Sequence, residues 1–128
     1  MNPMRALRQY QTVTAQAQTS EASPHRLVQM LMQGVLDRLA QAKGAIQRKD
    51  VPGKGLALTR AVALIGGLRE GLDMTNSAKE LARVDALYIY MMERLTLANL
   101  KTDPKIIDEV AGLMITVKEG WDAIAPAA

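Results

Sequence analysis

The stretch Leu87-Tyr88-Ile89-Tyr90-Met91-Met92-Glu93-Arg94-Leu95-Thr96-Leu97-Ala98-Asn99 decides how this chain folds. At about 100° per residue, Leu81, Val84, Leu87, Tyr88, Met91, Met92, Leu95 and Ala98 fall within an arc of roughly 140°, wide enough to face a bundle core. Tyr90, Arg94 and Leu97 recur at i, i+4 and i+7 just outside that arc. The run therefore predicts a helix that faces a core along one stripe and borders a groove along the next.

Similar helical spacing extends in both directions along the chain. Upstream, Ser23-Pro24 reads as an N-cap followed by proline at the first helical position. Leu27, Val28, Leu31, Val35, Leu39, Ala42 and Ile46 then follow at helical intervals up to about Lys49-Asp50. Val51-Pro52-Gly53 reads as a break, and a second helix is predicted from about Lys54 to Asp73, with Leu58, Ala61, Val62, Ile65, Leu68 and Leu72 inward. Met74 to Ser77 is a loop, and the third helix runs from about Ala78 to Leu100. Asp103-Pro104 repeats the cap-plus-proline signal, and Ile106, Ile107, Val110, Leu113, Met114, Val117, Trp121 and Ile124 form the stripe of a fourth helix. No segment alternates with the period of a strand.

Four helices with short connections predict an all-α, antiparallel four-helix bundle over residues 23–125. Residues 1–22, polar and rich in Gln, Thr and Ala, are expected to be a flexible leader or a short N-terminal cap segment. Leu7 and Tyr10 lie three apart in it and share a face if that segment is helical.

The bulk composition removes whole classes of function. The 128 residues suffice for one core without staples, and the absence of cysteine excludes disulfides and thiolate zinc sites. No apolar run approaches the roughly 18 residues of a membrane span and no signal peptide is evident, so a soluble cytoplasmic protein is expected. Net charge is +3, but the cations are spread, with no stripe or motif for nucleic acid. The single histidine, His25, has no Glu-x-x-His context for a di-iron bundle and is expected at the surface. Pro52-Gly53-Lys54-Gly55 lacks the spacing of a phosphate loop. No enzyme activity, cofactor or metal is expected.

Several segments, in order and in register, resemble the FliS family of flagellar export chaperones. Ser23-Pro24-His25-Arg26-Leu27-Val28-Gln29-Met30-Leu31 with Gly34 resembles that family's first-helix signature. Leu72-Asp73 is similar to the close of its second helix. Leu87-Tyr88-x-Tyr90-Met91-x-x-Arg94-Leu95-x-x-Ala98-Asn99 resembles its third, and Val110 to Trp121 its last, while Tyr10 fits its polar leader. The likeness covers about residues 4 to 124. Met32-Gln33 stands where the family usually has Tyr-Asp, Ile89 where it usually has Asp, and Gly66-Gly67 interrupts the second helix.

The resemblance implies a chaperone that binds the disordered C-terminal segment of flagellin, prevents premature polymerisation and keeps it competent for the flagellar export apparatus, as a monomer or weak homodimer. A client groove is expected at Leu87, Tyr90, Met91, Arg94, Leu97 and Asn99, together with Met32, which lies at the edge of the first helix's apolar arc, and with Leu7 and Tyr10 capping the groove when it is empty. Eight methionines and no phenylalanine suit a surface that accepts several side-chain arrangements. A bundle that regulates by binding a transcription or translation factor would use the same groove.

Overall fold

The computed structural model describes residues 23–74 and 78–124. Four α-helices follow one another: α1, Pro24–Gln47; α2, Val51–Glu70; α3, Ala78–Lys101; and α4, Pro104–Ala123, with a single 3₁₀ turn, Gly71–Met74, after α2. The leader with Leu7 and Tyr10 lies outside the described residues.

α1, α2 and α4 each begin where a side chain can take an orphan N–H group of the first turn. Ser23 is extended (φ −66°, ψ 162°) and its Oγ accepts from the Arg26 N–H, with Pro24 opening α1. Asp103 does the same for α4, accepting from the Lys105 N–H at 2.9 Å ahead of Pro104. Asp50 caps α2 by accepting from the Gly53 N–H at 2.9 Å. The expected break at Val51-Pro52-Gly53 is therefore corrected to the first turn of a helix. Pro52 sits where no N–H is needed, and a Cβ at Gly53 would collide with the Asp50 carboxylate.

The turns after α1 and α3 are built alike. Lys49 (φ 57°) and Thr102 (φ 51°) are left-handed, and the next amide in each donates back to the helix, Asp50 N–H to Ala45 O (2.8 Å) and Asp103 N–H to Ala98 O (3.1 Å). A β-branched residue such as Thr102 is strained in that region. Lys54 helps to hold it there. Its side chain, 6% exposed, donates to Thr102 Oγ1 at 2.6 Å and to the Asn99 carbonyl at 3.1 Å. The ammonium thus neutralises the carbonyl end of α3, where the helix dipole is negative.

α1 packs on α2 and α4, and α3 packs on the same two, which is an up-down ring of antiparallel neighbours. The core is filled by Met32, Val35 and Leu39 of α1, Leu58 and Ile65 of α2, Met91 and Leu95 of α3, and Ile107, Val110 and Met114 of α4. From Ala63 to Leu68 every residue of α2 is buried, Gly66-Gly67 included; a helix apolar all round is one enclosed on more than one side.

The far end of the ring is closed by His25, which is half-buried rather than at the surface. Trp121 Nε1 donates to the His25 carbonyl (3.0 Å), the His25 Nε2 lies 2.9 Å from the Trp121 carbonyl, and the two rings stack with centroids 4.9 Å apart. The pair ties the start of α1 to the end of α4.

Candidate functional site

The helix spelled out by Leu87 to Asn99 carries its two tyrosines to different places because they are two residues apart, about 200° around the axis. Tyr88 is in the core, and burial pushes its hydroxyl up to about 12. Tyr90 is 40% exposed and lies on the side of α3 that meets α4. Arg94 is one turn further on, and both reach the same carboxylate of α4. The Tyr90 hydroxyl donates to Glu109 Oε2 at 2.7 Å, and Arg94 Nε donates to Glu109 Oε1 at 2.7 Å. The Tyr90 hydroxyl, and then the Arg94 guanidinium, hold the Glu109 carboxyl below its usual range. The same bond raises Tyr90.

Leu87 and Leu97 flank this polar pair along α3. Both are half-buried and pack against the core from its edge. On α4, Gly112 is exposed and a Cβ there would meet nothing within 4 Å; it lies about 160° around the axis from buried Val110 and Met114, on the outer face of the helix. The seam between α3 and α4 thus has an apolar rim and a polar group at its middle.

Of the residues expected at a groove, the structure brings four together here: Leu87, Tyr90, Arg94 and Leu97. Met91 has no exposed surface and Met32 is 2% exposed, so both are corrected from groove lining to core. The edge of an apolar arc is a surface position only where no neighbour covers it, and Met32 lies on the side of α1 that its neighbours enclose. Asn99 faces the opposite edge of α3, toward α2, with its Oδ1 4.0 Å from the place of a Cβ on Gly55 and its carbonyl taken by Lys54.

Glu109 did not stand out in the sequence. Reflecting α3 and α4 about the short turn at Thr102-Asp103 brings Glu109 within about a turn of Arg94, and that reflection was the available signal. Among the described residues no group of three His, Cys, Asp or Glu side chains is placed to hold a metal, and no helix is long and apolar enough to cross a membrane.

These features define an all-α helical-bundle protein with a polar cluster open to solvent at an interhelical seam. Residues 6–128 match the family model described as Flagellar protein FliS. The Flagellar secretion chaperone FliSB of Pseudomonas aeruginosa is 49% identical over 125 residues, which cover 98% of this chain and 99% of that one. The Flagellar secretion chaperones FliS of Vibrio cholerae and Salmonella typhimurium are 40% and 37% identical, covering 94% and 95% of this chain and 89% and 91% of theirs. This chain belongs to the FliS family of flagellar secretion chaperones.

Proposed function

We propose that this protein binds the C-terminal segment of flagellin in the cytoplasm, along the α3–α4 seam, and keeps it unpolymerised for the flagellar export apparatus. The observation that carries the reading is the seam itself. A segment that folds on binding needs an elongated, partly apolar surface with a few fixed polar anchors. Leu87 and Leu97 supply the first, and Tyr90 and Arg94 the second.

Calorimetry against a peptide covering the flagellin C-terminal region of the same organism should give one-to-one binding with a negative heat-capacity change. Little change is expected between low and high salt. Tyr90→Ala, which removes an exposed anchor of the seam, should weaken that binding at least tenfold while leaving the helical content intact. No binding by the unaltered protein, or full binding by Tyr90→Ala, would remove flagellin from this seam. The leader has a part in the same reading: Leu7 and Tyr10 cover the seam in the free chaperone and give way to the client. Covering it hides an apolar surface that otherwise invites aggregation. Tyr10→Ala should then increase binding of a hydrophobic dye; unchanged dye binding would sink the cap.

A further inference from the structure

Resting on the seam as the flagellin site, we propose that Tyr90 and Arg94 form a receptor for a side-chain carboxylate of the client, and that the chain's own Glu109 occupies this receptor until the client displaces it. Two donors one turn apart on α3 take the two oxygens of a single carboxylate, both at 2.7 Å. The geometry a client carboxylate would need is therefore already built, and Glu109 shows that it holds one.

The exchange is balanced in charge and in hydrogen bonds. Arg94 leaves one carboxylate and gains another, so the guanidinium is never stranded, and Tyr90 keeps an acceptor. Glu109 and its partners are open to solvent, so the released carboxylate is rehydrated at little cost; exposed ion pairs of this kind contribute little to stability. Charge-assisted bonds to both oxygens carry the receptor's selectivity. A client with an amide or an aliphatic residue at that place gives Arg94 no reason to leave Glu109. A client with Asp or Glu there competes on equal terms, and its neighbouring apolar residue gains contact with Leu87. Glu109 thus makes the seam select an acidic residue within an otherwise apolar segment.

The test uses the full chain and the flagellin C-terminal peptide, measured by calorimetry in a cycle. Glu109→Gln keeps the shape of the side chain and is exposed, so it should fold as the unaltered protein does, which an unfolding curve checks. Its affinity for the peptide should rise about two- to fivefold, the scale of an exposed ion pair removed from competition. Replacing the responsible acid of the peptide by its amide should abolish that gain, and so should Arg94→Ala in the chaperone. If the peptide binds but Glu109→Gln leaves its affinity unchanged or lowers it, the exchange is wrong while the seam stands. A gain that survives neutralising every acidic side chain of the peptide, or that vanishes only on amidating its terminus, also overturns a side-chain carboxylate as the ligand. If the peptide fails to bind the unaltered chaperone, the seam reading falls first.

Discussion

Ala42 of α1 and Ala61 of α2 have no exposed surface at all, whereas Tyr90 of α3 is 40% exposed and the Glu109 carboxylate it binds faces solvent. Across α1 and α2 small residues let helix backbones approach, and the pair forms the most extensive helix interface; nothing can be added there without moving a neighbour. Along the α3–α4 seam part of the contact is made by polar side chains open to water. The two halves of the ring are thus joined differently, by close apolar packing in one and partly by exposed charge-assisted bonds in the other.

The comparison breaks most readily at Met32. If it belongs to the closely packed half, as its 2% exposure says, Met32→Ala should destabilise the protein by about 2–5 kcal/mol, the range for deleting a large core side chain. Urea unfolding measures it. A loss under about 1 kcal/mol would mean that the site is open enough to act as surface. Next in size is Lys54→Met. It removes both donors that secure the end of α3 and leaves the Asn99 carbonyl short of a partner, at a cost of about 1–3 kcal/mol. The effect should include faster amide exchange in the last turn of α3, because Thr102 loses the contact that helps to keep it left-handed. A uniform loss of protection across all four helices would show that Lys54 serves the core instead.

Gly112→Ala should go the other way. The added methyl meets no atom and replaces the poorest ordinary helix former by the best, so the gain should be up to about 1 kcal/mol. Destabilisation by that change would show that the outer face of α4 is covered rather than open.

Much of this architecture was legible before the coordinates. The caps at Ser23 and Asp103 each join a short acceptor side chain to a proline that needs no N–H, and both begin helices. The stripes of α1, α3 and α4 could be read off because one face of each is apolar and the opposite face is not. Asp50 was harder. Its Val-Pro-Gly sequel has the composition of a turn, and only the backbone geometry shows Asp50 capping with Gly53 as the residue that tolerates it. Met32 was misplaced because its position on the wheel says how far it lies from the stripe's centre but not which neighbour covers it. Glu109, which completes the polar cluster with Tyr90 and Arg94, depends on the register between α3 and α4. That register is set by how side chains interlock, and neither helix states it alone.

The smallest expected effect concerns that cluster and comes from its protons. In the folded chain Glu109 titrates below its ordinary value of 4.5 and Tyr90 above its ordinary value of 10.0. Glu109 therefore binds protons less readily folded than unfolded. Its contribution is complete above pH 4.5 and is lost as pH falls from there through the lowered folded value. Tyr90 contributes below pH 10.0 and loses its share as pH rises through the raised one. Across the span between, the Tyr90–Glu109–Arg94 contacts are intact, and unaltered protein should unfold at slightly higher urea than Glu109→Gln. As pH falls below the lowered folded value of Glu109 that gap should close, although Asp85 and Asp122, also held low by their partners, weaken both proteins alike. A gap that stays the same from neutral to acid pH would mean that the shape of the Glu109 side chain, rather than its charge, joins α4 to α3. The seam would then be a packed contact like those between α1 and α2, and the contrast between the two halves would close.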